Sequence, residues 1–292
     1  MDGVIVINKP IGKTSHDMVY FVRRLTGIKK VGHTGTLDPE ASGVLPVCIG
    51  RATKAADMLT FSDKCYRAEF ILGMTTDTQD AEGEILSECE VNTDCGKVKD
   101  AIQSFVGEIE QVPPMYSAVK IQGKKLYELA RKGIEIERKK RKVTIYKIDI
   151  VDIDEKDWRI VIDVHCSKGT YIRTLCEDIG IKLGCGAYMN TLQRTKSSIF
   201  NIDESYTLEE LNSMKENGTL DTALVPLERL FEHLDKITLS EIQSKRVQDG
   251  VRVSAKGIID GREYRVYDDK GVFLCVSEAK DGRVVLKKAF WC

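Results

Sequence analysis

GVIVIN, residues 3–8, is a nearly continuous apolar run of strand length, and Lys9-Pro10 breaks it. From Thr14 or Ser15, either of which suits an N-cap, Met18, Phe21, Val22 and Leu25 recur at helical spacing until Gly27. Residues 31–46, VGHTGTLDPEASGVLP, hold three glycines and two prolines and read as a structured loop. In 65–72 the alternation sets Tyr66, Ala68, Phe70 and Leu72 on one strand face; an acidic turn (76–84) and a helix near 97–107 follow. The stretch 113–142 opens on Pro113-Pro114, ends in RKKRK, and holds a short helix around Leu126, Leu129 and Ala130 closed by Gly133. Residues 143–153 and 158–166 alternate as strands. A helix from about Thr170 gathers Ile172, Leu175, Cys176 and Ile179 on one face. Beyond 235, short strands separated by Asp-Lys-Gly and Asp-Gly turns predict a small all-β appendage. Strands and helices mix without regular β-α-β alternation, so the fold class is α+β.

Length and composition narrow the classes. The 292 residues suit two domains, and 42% hydrophobic with 30% charged side chains is a globular balance. No apolar run approaches the roughly 20 residues of a membrane span, and the N-terminus does not resemble a signal peptide, so a cytoplasmic location is expected. Nine cysteines include no C-x-x-C pair, and the four histidines lack metal-ligand spacing. Reduced thiols and no metal are the reading.

Net charge changes the picture only when divided along the chain. The total is −1, but residues 75–112 carry two basic and ten acidic side chains, whereas 113–147 carry eleven and three. Five consecutive cations, Arg138 to Lys142, repel one another and gain most from an anionic partner such as phosphate. The ordinary alternative is a solvated face.

Candidate chemistry is sparse on spacing alone. Gly12-Lys13-Thr14 lacks the earlier glycine of a phosphate-binding loop, since position 7 is isoleucine, and reads as a turn plus helix cap. Asp77, Asp80, Glu82 and Gly83 have the wrong alternation for a calcium loop. Asp38 precedes Pro39 among flexible glycines, where a rigidly held carboxylate can serve as nucleophile or base; a plain Asp-Pro turn is the simpler reading. A hydrolase set of His33, Asp38 and Glu40 has little support. Tyr66 reads as a core tyrosine and Arg173 as a surface or ion-pairing residue.

GHTGTLDPEASGVLP resembles the signature of the TruB family of tRNA pseudouridine-55 synthases. The resemblance extends in order through INKPIGKTS, KCYRAEF, TDTQDAEGE, PPMYSAVKIQGKKLYELAR, CSKGTYIRTL and GCGAYMNTLQRT, covering nearly all of 1–230. It implies a catalytic domain over 1–235 with a mixed, largely antiparallel sheet of pseudouridine synthase type. A basic thumb is inserted at 113–142, and a small β-rich PUA-like RNA-binding domain spans 236–292. The implied reaction isomerises one uridine of the tRNA T arm, breaking its N-glycosidic bond and rejoining base to sugar through carbon, with no cofactor. Asp38 matches the family's catalytic aspartate, Tyr66 the aromatic that stacks on the base, and Arg173 the arginine that pairs with the aspartate. His33 matches the residue filling the space of the flipped nucleotide, and Tyr171 and Leu192 match pocket residues. Lys9 and Pro10 match a motif supporting the loop, and Asp80 lies in a matching acidic motif with no step assigned. Lys124, Lys125, Arg131, Lys132, Arg138, Lys139, Lys140, Arg141 and Lys142 are the expected RNA-gripping cations. The resemblance fits an aspartate that adds to the base, adds to the sugar, or acts through a glycal-type intermediate.

Short termini favour a stand-alone monomer over a guide-RNA-dependent relative. A non-catalytic RNA-binding protein and a glycoside hydrolase using Asp38 are the competing classes. The first does not need Asp38, Tyr66 and Arg173 together, and the second lacks an identifiable second acid.

Overall fold

The computed structural model describes residues 1–60, 62–117, 119–121, 123–130 and 132–291, with side chains at 120, 121, 124 and 125 left aside. The first part of the chain forms β1 (Gly3–Lys9), α1 (Ser15–Thr26), β2 (Val31–His33), β3 (Ala41–Ile49), α2 (Ala56–Thr60), β4 (Lys64–Leu72), β5 (Met74–Thr76) and β6 (Ile85–Glu88). Next come α3 (Cys95–Gln103), β7 (Gly107–Gln111), β8 (Lys120–Ile121), β9 (Lys124–Lys125), α4 (Leu126–Ala130), β10 (Arg141–Asp154), β11 (Arg159–Cys166) and α5 (Ile172–Leu183). Then β12 (Ala187–Ser197), β13 (Phe200–Asn201), α6 (Leu208–Glu216) and β14 (Val225–Pro226) complete the large sheet region. The C-terminal elements are β15 (Asp235–Thr238), α7 (Glu241–Gln248), β16 (Val253–Ser254), β17 (Glu263–Tyr267), β18 (Phe273–Lys280) and β19 (Arg283–Ala289).

The large sheet runs β14-β1-β3-β12-β4-β11-β10-β7, with β2 on β3 and β13 on β12. Among the described residues its strands pair in parallel at β3 with β12, where Leu192 to Arg194 lie beside Ala41 to Gly43. The α+β class with a mixed, largely antiparallel sheet is the observed fold. The apolar run of β1 follows from burial on both faces: Ile5 and Ile7 join the cluster under α1, while Val4 and Val6 join one containing Phe273 of the C-terminal sheet and Phe290 just after its last strand. Tyr66, Ala68, Phe70 and Leu72 of β4 face a cluster closed by Leu175, Cys176 and Ile179 of α5. The second sheet has the order β15-β17-β18-β19-β16.

Local chemistry explains most element ends. Thr14 caps α1, accepting from the Asp17 N–H at 3.1 Å while the Asp17 carboxylate accepts from the Thr14 N–H at 2.8 Å. That reciprocal pair is worth roughly 1 kcal/mol. Asp281 and Gly282 both take positive φ, 53° and 65°, as the turn joining β18 and β19 requires.

Three expectations differ from what is observed. Within the expected loop 31–46, residues 31–33 form β2 and residues 41–46 are strand, the first part of β3, despite Gly43 and Pro46. Gly43 is there because the Arg194 backbone passes 2.2 Å from where its Cβ would be, and the Pro46 carbonyl still accepts from the Thr34 N–H at 3.2 Å. The appendage is not all-β: α7 begins at a Ser240 capping box that the strand and turn signals overshadowed. The helix expected near 97–107 covers Cys95–Gln103, and 107 opens β7.

Candidate active site

Asp38 lies on the segment between β2 and β3, which is fastened from below by the end of β1 and the start of α1. The Ser15 hydroxyl donates to the Leu37 carbonyl at 3.1 Å and accepts from the Leu37 N–H at 2.8 Å. Lys9 is fully buried, and its Nζ donates to the carbonyls of Pro10, Lys13 and Pro39 at 2.8, 2.6 and 3.0 Å. A buried ammonium must spend its three protons on acceptors, and here each proton has one. Burial pulls the Lys9 ammonium down to about 8, opposed by the nearby carboxylates of Glu40 and Asp38. The Gly12 N–H also donates to the Pro39 carbonyl at 2.9 Å, and the Ala41 N–H to the Asp38 carbonyl at 3.1 Å. Gly12-Lys13-Thr14 is therefore the turn and cap read from the sequence, and it braces the loop.

Arg173, in the first turn of α5, has a side chain only 7% exposed. Its Nη2 lies 2.9 Å from Asp38 Oδ2 and donates to the Tyr116 carbonyl at 2.8 Å. Its Nη1 reaches Asp80 Oδ2 at 3.2 Å and donates to the Thr78 carbonyl at 3.0 Å. The planar guanidinium thus spans four oxygens from three chain segments, which an ammonium could not do. Asp80 is less free than Asp38: its Oδ1 accepts from the Thr78 hydroxyl at 2.5 Å and from the Glu82 N–H at 3.2 Å. The acidic turn is therefore a bracket for Arg173, and its carboxylates cap their own backbone. Asp38 keeps its side chain 45% exposed, so it offers a carboxylate oriented by Arg173 yet open to a ligand.

The same carboxylate lines a cleft of about 250 Å³ together with Tyr66, Tyr171, Leu192, Arg173, Arg194, Lys64 and Ser117. Burial pushes the Tyr66 phenol up, opposed by the adjacent Arg194 guanidinium and a hydrogen bond to it. Arg194 is 1% exposed and ties β12 to β3 through Nε, which donates to the Val44 carbonyl at 2.7 Å. Lys64 donates to the carbonyls of Thr60, at 2.7 Å, and Ser62; burial pulls its ammonium down to about 8. Three cations against one carboxylate make the lining electropositive, suited to a ligand carrying phosphate. The Ser117 hydroxyl is buried at this cleft and has no partner among the described residues. Among those residues no three His, Cys, Asp or Glu side chains are grouped to hold a metal.

Of the residues anticipated from sequence, Asp38, Tyr66, Arg173, Tyr171 and Leu192 converge on this cleft. His33 does not line it; His33 stands on β2, its Nδ1 accepting from the N–H of Gly35, which does. Burial, aided by the nearby Arg194 guanidinium, pulls its imidazole down. In the basic segment, Arg138 is tied inward, donating to the Pro113 carbonyl at 3.2 Å and pairing with Glu135 at 3.0 Å. Lys142 pairs with Glu108 at 2.8 Å and Lys140 with Glu110 at 3.9 Å. Lys132, Lys139 and Arg141 are exposed; Arg131 lies outside the described residues, as do the side chains of Lys124 and Lys125. Arg194, Lys64 and Ser117 were not singled out beforehand. Each of the first two shares its strand with a second basic residue, Lys196 on β12 and Arg67 on β4, so strand position alone does not mark them.

Residues 23–172 match the model of the TruB family pseudouridylate synthase N-terminal domain. Residues 173–232 match that of the tRNA pseudouridylate synthase B C-terminal domain, and 236–287 that of the pseudouridine synthase II TruB C-terminal region. The tRNA pseudouridine synthase B of Alkaliphilus oremlandii is 49% identical over 276 residues, 92% of this chain and 91% of the relative. That of Clostridium perfringens is 46% identical over 294 residues, 99% of this chain and 98% of the relative. Among solved structures, a chain of a Cbf5–Nop10–Gar1 complex superposes with a TM-score of 0.74 and 28% identity, covering 99% of this chain and 85% of that one. A chain of an H/ACA RNP bound to a substrate RNA containing 2'-deoxyuridine gives a TM-score of 0.73 at 26% identity. With three successive family models spanning most of its length and relatives near half identity end to end, the chain belongs to the TruB family of pseudouridylate synthases, which are isomerases.

Proposed function

We propose that this enzyme converts uridine 55 in the T loop of tRNA to pseudouridine. The observation that carries the reading is the half-exposed Asp38 carboxylate, aimed by a buried Arg173 into a cleft walled by Tyr66, Tyr171 and Leu192. A uridine stacked in a folded loop must leave its stack to reach such a cleft, and aromatic and apolar walls replace the stacking it loses. The Arg173 guanidinium pairs with the Asp38 carboxylate and holds its direction.

The reaction breaks the bond between N1 and C1' of the ribose, turns the uracil, and forms a bond from C5 to C1'. The C5 proton then leaves to a base in the cleft and N1 gains a proton, so composition is unchanged and no redox partner is consumed. Asp38 is the group that reacts with the nucleoside or takes the proton. Tyr66 stacks on the base, and the Lys64 and Arg194 charges favour the flanking phosphates.

In this reading residues 1–235 are the catalytic unit, 113–142 the segment gripping the T arm, and 236–292 an RNA-binding unit. The working form is a cytoplasmic monomer, and the reaction needs no added cofactor or protein partner. The test is incubation of the purified chain with unmodified tRNA transcript alone, followed by mapping of pseudouridine. Product at the single T-loop position with wild type and none with Asp38→Asn, whose tRNA binding survives, is expected. Turnover by Asp38→Asn, or no product with wild type, would overturn the reading.

A further inference from the structure

We infer that Gln111 is a positioning residue for the cleft, fixing the start of α5 so that Tyr171 and Arg173 meet Asp38 in register; the inference rests on the function proposed above. Gln111 ends β7 and is 2% exposed. Its side-chain amide meets the Tyr171 backbone twice: Nε2 donates to the Tyr171 carbonyl at 3.1 Å, and Oε1 accepts from the Tyr171 N–H at 3.0 Å. Tyr171 is the N-cap of α5, and its own side chain makes no capping bond. The first helical bond, from the Leu175 N–H at 3.0 Å, also lands on the Tyr171 carbonyl. The Gln111 amide therefore satisfies the N–H of the N-cap residue, one of the donors a helix start leaves without an intrahelical partner, and holds its peptide from a strand far away in the chain.

The location adds a second consequence. The chain leaves the large sheet at Gln111 and returns at Arg141, its register partner on β10, so the basic excursion is rooted at this pair. Arg173, two residues into α5 from Tyr171, donates to Tyr116 within that same excursion. Gln111 joins the root of the RNA-gripping segment to the helix start that carries the arginine of the cleft. A two-point amide contact fixes both the distance and the rotation of the peptide it holds, which a single hydrogen bond or an apolar contact does not.

The test uses Gln111→Glu and Gln111→Leu in the full chain, with single-turnover rates and tRNA affinity measured between roughly pH 6 and 8.5. A protonated glutamic acid keeps one donor and one acceptor and reproduces both contacts; an ionised one keeps only acceptors and sets a charge against the Tyr171 carbonyl. Burial and that carbonyl raise the carboxyl above its ordinary range of about 4.3. The charged groups on the neighbouring elements are Arg141 and Lys142 on β10, Arg173 on α5, Glu110 on β7, and Asp38 and Asp80 at Arg173.

The ratio of Gln111→Glu to wild-type rate should therefore be near unity at the acid end and fall on the order of 10- to 100-fold as pH rises, with tRNA affinity held within about twofold. Gln111→Leu should show a loss of the same order at every pH. A flat Gln111→Glu ratio, a parallel loss of affinity, or wild-type turnover by Gln111→Leu would overturn the inference. Should Gln111→Leu fail to fold, the acid-end recovery of Gln111→Glu still decides. Absence of product from the wild type would strike the proposed function instead.

Discussion

Arg173→Met removes the guanidinium while leaving an unbranched side chain in its place. Four oxygens then lose a donor: Asp38 Oδ2 at 2.9 Å, Asp80 Oδ2 at 3.2 Å, and the carbonyls of Thr78 and Tyr116 at 3.0 and 2.8 Å. Asp38 is 45% exposed and turns to water, and Asp80 keeps the Thr78 hydroxyl and Glu82 N–H. The uncompensated loss falls on the two carbonyls, at about 1–3 kcal/mol for each buried group left unsatisfied. Stability should drop by ~2–6 kcal/mol, read from the midpoint of urea unfolding at constant slope. Catalysis suffers separately, because Asp38 is no longer aimed. A misplacement on the order of 1 Å costs about 100-fold, or ~2.7 kcal/mol of barrier. Arg173→Lys keeps the charge without the planar fork, so it should regain part of the stability and little of the rate. The decisive assay is single-turnover pseudouridine formation on tRNA transcript, with affinity measured in parallel. A rate for Arg173→Met within about threefold of wild type would refute the orientation argument.

Lys9→Met preserves volume but takes the ammonium donor from the carbonyls of Pro10 and Lys13 and leaves that of Pro39, beside Asp38, with only the Gly12 N–H, and should cost ~2–5 kcal/mol in denaturant unfolding along with turnover. Unaltered stability would show that the buried ammonium is dispensable. Asp178, on α5, is pushed by burial up to about 6. Between roughly pH 4 and 6 the folded state holds a proton that the unfolded chain has released, so this group lowers stability as pH rises through that window. Asp178→Asn should therefore stabilise the protein by ~1–3 kcal/mol at pH 7 and by almost nothing near pH 4. An equal gain at both pH values would contradict the burial argument. Lys139 and Arg141 are exposed and, among the described residues, carry no ion pair, unlike Lys140 and Lys142. Replacing both with alanine should reduce the slope of log affinity for tRNA against log salt by about 1–2, whereas an unchanged slope would make them a merely solvated face.

What the chain reveals by itself is whatever neighbouring residues decide among themselves. The spacing of Met18, Phe21, Val22 and Leu25, the Thr14 to Asp17 capping box, the alternation from Tyr66 to Leu72 and the Asp281-Gly282 turn each depend on a few adjacent residues. Family motifs added Asp38, Tyr66, Arg173, Tyr171 and Leu192, which do share one cleft. Tertiary structure alone decided that Lys9 and Arg194 are buried, that Arg173 is divided between Asp38 and Asp80, and that the Gln111 amide holds the first peptide of a helix it does not belong to. It also made residues 41–46 a strand, because β1 and β12 flank them and supply the ladder that local glycine and proline signals argued against. The physical reason is common to these cases. A charged or amide side chain prefers water until distant segments bring enough oxygen acceptors and backbone groups together to replace it, and that meeting is a property of the assembled sheet, with no trace in the spacing of neighbouring residues.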